Sequence, residues 1–130
     1  MPAPASREHV SVLGYHHVQL AMPPGEETRA EAFYSGLLGL PRVEKPPDLA
    51  ARGGCWFRGE GIELHLGVEE EFRPARKAHP AILVAGLDAL EMRLREAGVP
   101  TAHDVELSGH RRFYAHDPFG NRLEFLERRS

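Results

Sequence analysis

The chain has 130 residues, 42% of them hydrophobic, and a formal net charge of -3, which suits one domain or two small repeated halves. The acidic balance excludes a dedicated nucleic-acid binder, and no apolar run approaches the roughly 20 residues that span a bilayer, so neither nucleic acid nor a membrane is an expected partner. Cys55 is the single cysteine, which excludes an intrachain disulfide. Met1-Pro2-Ala3-Pro4-Ala5-Ser6 lacks the basic region and apolar run of a signal peptide, so a cytoplasmic protein is expected.

Residues 1–9 read as a tail. Val10 to Met22 alternate in places and predict a strand, ended by Pro23-Pro24-Gly25. Ala30, Phe33, Tyr34, Leu37 and Leu38 then recur at helical spacing, and Gly39 stops the helix. Leu40 to Lys45 is a short extended piece before Pro46-Pro47. Gly54 to Arg58 and Ile62 to Val68 predict a hairpin around Gly59-Glu60-Gly61. Glu69 to Ala78, charged and broken by Pro74, reads as a linker, in which Arg73, Arg76 and Lys77 balance Glu69-Glu70-Glu71.

After the linker the order repeats. His79 to Val84 predicts a strand. Asp88 with Glu91 makes a capping-box pattern, and Leu87, Leu90, Leu94 and Ala97 mark one helical face before Gly98 and Pro100. Val99 to Val105 is a short strand, and His110 to His116 with Arg122 to Glu127 form a second hairpin around Asp117-Pro118-Phe119-Gly120-Asn121. The fold class is therefore α+β, one domain of two βαβββ modules over about 10–68 and 79–127, joined by a linker over 69–78. Each module leaves one sheet face bare, so a partner half must cover it.

Side chains two apart on a strand share a face. Val18, Leu20 and Met22 form an apolar row that leaves His17 and Gln19 on the opposite face, and Ile82 and Val84 leave His79 in the matching place. In the last strands, Ile62, Leu64 and Leu66 oppose Glu63 and His65, while Leu123 and Phe125 oppose Arg122, Glu124 and Leu126. Two histidines and one His or Glu from each last strand can thus meet on the concave side, with either Glu63 or His65 in the fourth place. Imidazole and carboxylate donors suit a divalent ion such as Zn, Ni, Mn or Fe(II). Trp56 with Arg58, and Arg112 with Tyr114, each share a strand face and are candidate substrate contacts. Cys55 faces away from Trp56 and is expected in the core.

Three stretches carry a family resemblance: His16-His17-Val18-Gln19-Leu20-Ala21-Met22, then Phe33-Tyr34 with Leu37-Leu38-Gly39-Leu40, and Asp117-Pro118-Phe119-Gly120-Asn121-Arg122-Leu123-Glu124. Together they resemble the vicinal oxygen chelate superfamily of glyoxalases, bleomycin-resistance proteins and dioxygenases. The resemblance implies curled mixed sheets enclosing a cavity, a small-molecule substrate, a homodimer, and a metal held by His17, His65, His79 and Glu124. His16 is expected on the face opposite His17. With His65 as ligand, Glu63 is the candidate catalytic base; with Glu63 as ligand, His65 takes that role.

The expected activity is that of a metal-dependent lyase or isomerase on a small α-oxygenated carbonyl compound. The alternatives are an Fe(II) ring-cleaving dioxygenase built on His17, His79 and Glu124, and a metal-free protein that sequesters a planar drug or metabolite, because fold alone does not fix a reaction.

Overall fold

Alternating apolar rows and the turns between them fold residues 8–130, the part that the computed structural model describes, into two four-stranded mixed sheets. The first module runs β1 (Val18–Met22), α1 (Glu27–Glu31), β2 (Arg42–Val43), α2 (Pro47–Ala50), β3 (Cys55–Gly59) and β4 (Ile62–Val68). The second runs β5 (Ala81–Leu83), α3 (Leu87–Glu96), β6 (Thr101–Ala102), β7 (His110–His116) and β8 (Arg122–Arg128). Strand order is β1-β4-β3-β2 in one sheet and β5-β8-β7-β6 in the other. In each, the opening strand runs parallel to the last and the remaining pairs are antiparallel. The repeat expected from element order is thus repeated in connectivity.

Several boundaries differ from expectation. β1 starts at Val18 because its ladder with β4 opens at the Val18–Leu64 pair; among the described residues no strand pairs with residues 8–17, and Val10, Val12, Leu13 and Tyr15 are exposed. β5 likewise begins at Ala81, after Pro80, so both opening histidines stand just ahead of their strands. α1 continues as a π-helical stretch over Ala32–Leu37, with the Leu38 amide donating five residues back to Phe33 at 3.0 Å. Gly39, at φ 77°, then turns the chain out. The four-residue α2 was not anticipated; Pro47 opens it, where a missing N–H costs nothing.

The capping box at Asp88 and Glu91 does not form. α3 starts at Leu87, which places both residues inside the helix. The first amides are met instead by Glu127 of β8, whose carboxylate accepts from Gly86 N at 2.9 Å and Leu87 N at 3.1 Å. These two backbone bonds hold the Glu127 carboxyl below its ordinary value.

Apolar rows of both sheets meet in one core with Leu20, Met22 and Leu66 from the first module and Leu94, Phe113 and Phe125 from the second. Cys55 lies in this core, as expected. A buried polar knot ties the modules together. Asp117 accepts from Tyr34 Oη at 2.8 Å, and Asn121 Nδ2 donates to the Ala21 carbonyl at 2.8 Å.

Candidate metal and substrate site

The bare faces of the sheets carry the polar residues that the row pattern singles out. On the first sheet, β3 and β4 pair Trp56 with His65 and Arg58 with Glu63. The His65 ring is sandwiched, with its centroid 4.0 Å from Trp56 at 4° and 4.1 Å from His17 at 19°. This stack explains why a histidine on the bare face is buried. Glu63 lies between two donors: Arg58 Nε reaches Oε1 at 2.8 Å, and His65 Nε2 stands 2.8 Å from Oε2.

The Arg58 guanidinium, and after it His65, hold the Glu63 carboxyl down at about 2. Burial lowers the His65 pKa, with the bond to Glu63 opposing it. A neutral His65 facing a carboxylate must carry its proton on Nε2, which leaves Nδ1 as the open lone pair. His16 does not point away from His17, because the two precede the strand where alternation begins; their Nδ1 atoms are 2.9 Å apart.

On the second sheet, β7 and β8 pair Tyr114 with Glu124. His79 Nε2 stands 2.8 Å from Glu124 Oε1, and His79 Nδ1 stands 2.7 Å from the Lys77 carbonyl. A carbonyl can only accept, so Nδ1 carries hydrogen towards Lys77 and the ring is held with Nε2 facing the carboxylate. Backbone orientation of Nδ1 is how ligating histidines are commonly held. Arg112 Nη1 donates to Glu124 Oε2 at 3.0 Å and to Tyr114 Oη at 2.9 Å. Burial alone would raise the Glu124 carboxyl, but His79 and Arg112 together draw it below its ordinary value.

The structure thus joins the expected ligands two by two, His17 with His65 and His79 with Glu124. Among the described residues of one chain, no three His, Cys, Asp or Glu side chains gather at one point. Between the modules lies a groove of about 1020 Å³, lined by His17, Glu63 and Ala81 to Leu83 of β5 among others. Of the expected substrate contacts, Arg58 and Arg112 are both bonded to acids, Tyr114 is held by Arg112, and Trp56 is committed to the stack.

Two features escaped the sequence. The Lys77 carbonyl leaves no mark in residue type. Arg122 sits in the same row as Glu124, but only the fold shows its guanidinium 4.1 Å from the Tyr114 ring centroid.

Residues 14–125 match the family model described as Glyoxalase/Bleomycin resistance protein/Dioxygenase superfamily. A crystal structure from Bacillus anthracis, described as of a glyoxalase family protein, is 42% identical, covers 94% of this chain and 100% of its own, and superposes with a TM-score of 0.88. A glyoxalase/dioxygenase from Nostoc punctiforme shares 22% identity at a TM-score of 0.70, covering 95% of this chain and 100% of its own. A variant of the fosfomycin resistance protein FosX from Listeria monocytogenes, complexed with Mn(II) and 1S,2S-dihydroxypropylphosphonic acid, shares 15% identity at a TM-score of 0.74, covering 90% and 93%. These last two likenesses bear on the fold. No curated protein matches the chain. No described helix is long and apolar enough to cross a membrane.

Proposed function

Because the chain belongs to the Glyoxalase/Bleomycin resistance protein/Dioxygenase superfamily, we propose that it is a metal-dependent lyase or isomerase acting on a small α-oxygenated carbonyl compound, which binds a divalent ion through two neighbouring oxygens. The observation that carries this reading is the His79–Glu124 pair. A backbone carbonyl fixes the ring so that Nε2 meets a carboxylate oxygen 2.8 Å away, and nitrogen and oxygen atoms so placed fit Zn, Ni, Mn or Fe(II). Mn(II) in the similarly folded FosX complex supports a divalent ion.

His17 and His65 complete the proposed ligand set, with His65 offering Nδ1. Since one chain keeps the two pairs apart, the reading places them together across a homodimer, the first module of one copy facing the second module of the other. The ion, when bound, supplies Lewis acidity to a substrate oxygen. Glu63 is the proposed proton acceptor. Arg58 and His65 each occupy one of its oxygens, so one of these bonds must loosen for Glu63 to take a proton from carbon. Trp56 and Tyr114 wall the substrate, and Arg58 and Arg112 orient Glu63 and Glu124 while meeting its polar groups.

Elemental analysis of protein purified without chelator tests the reading, repeated on His17→Ala, His79→Ala and Glu124→Ala. Each variant is expected to lose most of its metal and keep its circular dichroism spectrum. A folded variant with undiminished occupancy would strike that residue from the ligand set. Iron accompanied by oxygen consumption would move the chemistry to ring cleavage.

A further inference from the structure

On the bare face of the second sheet, one arginine, Arg122, has no carboxylate partner of its own among the described residues. β7 and β8 place Arg112 opposite Leu126, Tyr114 opposite Glu124 and His116 opposite Arg122, and side chains so paired share a face. Glu124 is the one carboxylate in these rows, and Arg112 engages both it and, at 3.9 Å, Asp104 from outside the rows. Arg112 spends further donors on the Tyr114 hydroxyl and, through Nε at 2.8 Å, on the Val105 carbonyl. Arg122 forms no ion pair with a carboxylate among the described residues. The corresponding face of the first sheet differs, because there Arg58 is matched by Glu63.

Arg122 is nonetheless held in place. Its guanidinium carbon lies 4.1 Å from the Tyr114 ring centroid, on the aromatic ring that also meets His79 edge-on at 5.5 Å. Its backbone N–H donates to the Ala75 carbonyl at 2.9 Å, and the residue is half-buried. Stacking on an aromatic face orders a guanidinium and leaves its edge N–H groups directed outward, where their fork matches the two oxygens of an oxyanion. Covering this face with a neutral molecule would leave the charge without a counter-ion in a poorly solvated place, which is costly.

We infer that Arg122 is the anchor for an oxyanion on the substrate, so that the α-oxygenated compound carries a carboxylate or a phosphate beside its chelating oxygens. This rests on the reading of His79 and Glu124 as the reacting centre, since Tyr114 ties Arg122 to that pair. Tyr114 positions the cation, and Arg112 serves Glu124 and not the substrate's charge.

The test uses metal-free protein and three probes: inorganic phosphate, glycolate, and hydroxyacetone as an uncharged counterpart. Binding is followed by calorimetry and by the side-chain Nε–Hε resonance of Arg122. Phosphate or glycolate is expected to shift that resonance saturably, the tighter naming the preferred oxyanion, and hydroxyacetone is expected to leave it in place. Arg122→Gln is expected to weaken anion binding by about tenfold or more, in line with loss of a charged hydrogen bond, and Arg122→Lys to retain part of it. Wild-type anion affinity in a folded Arg122→Gln protein, or no response of Arg122 to either anion, overturns the inference. Metal content keeps the two readings apart. Absence of metal from the wild-type protein defeats the preceding proposal and leaves this titration standing, whereas undiminished anion binding in Arg122→Gln with normal metal content defeats only this one.

Discussion

Asn121 is almost fully buried and uses its whole amide. Nδ2 donates to Asp117 Oδ2 and to the Ala21 carbonyl, and Oδ1 accepts from Ala75 N at 3.1 Å. Its backbone N–H adds a bond to Asp117 Oδ1. Truncating it leaves the Ala21 carbonyl and Ala75 amide without these partners. Asn121→Ala is therefore expected to cost about 3 kcal/mol in urea unfolding, several times the loss from an exposed substitution. Asp117-Pro118-Phe119-Gly120-Asn121 was legible as a turn because it is rich in turn formers. Its role in joining the modules was not, since Tyr34 and Ala21 are remote in sequence. The same contrast holds at the site. His17, His79 and Glu124 stood out by their places in alternating rows, while the bonds that tune them depend on how neighbouring strands and the linker backbone lie.

Elements were legible where the local pattern and the tertiary demand agree. Both long hairpins emerged with nearly their observed limits because apolar rows and turn residues coincide. The ends of β1 and β5 did not, since a strand lasts only as far as its neighbour. The β3–β4 ladder passes tightly over Gly54, where φ is 81° and a Cβ would lie 2.2 Å from the Leu66 carbonyl oxygen. Gly54→Ala is expected to destabilise the protein by roughly 2–3 kcal/mol, read as a lowered urea midpoint. A stability equal to wild type would show that the strand entry can shift. On the helical side, Leu94 of α3 is fully buried in the shared core. Leu94→Ala is expected to cost about 3 kcal/mol through lost contacts and the cavity left behind, checked by the same measurement.

For the whole molecule, the repeat of element order is the strongest signal, and the sheet order bears it out. Sequence pattern assigned one pair of candidate ligands to each half but could not show that one chain keeps the pairs apart, because alternation tells which face a side chain takes and not how two sheets are set against each other. Folding of the entire chain is also coupled to alkaline pH. Burial pushes the Cys55 thiol from 9.0 to about 11, and burial, then the charge of Asp117, pushes Tyr34 well above 10.0. The folded chain keeps these protons at a pH where the unfolded chain releases them. Groups with raised pKa values contribute stability that is complete below the unfolded value and is lost as pH rises through the folded one. Unfolding free energy is expected to fall as pH climbs from 9.0 towards about 11, with Cys55→Ala flattening the decline. Urea midpoints taken across that window check the sign, and an equally steep decline in Cys55→Ala would remove the thiol from the account.

Trp56 is the chain's one tryptophan, and its indole lies flat against His65 at 4.0 Å. Indole emission responds to the electronic demand of a ring pressed on its surface, so a proton or an ion arriving at that imidazole registers as a change in fluorescence. The molecule thereby carries a built-in optical gauge in one half only. If adding an ion alters the emission, and replacing Glu124 in the other half silences the change, a single spectrum reveals that both halves answer to the same event.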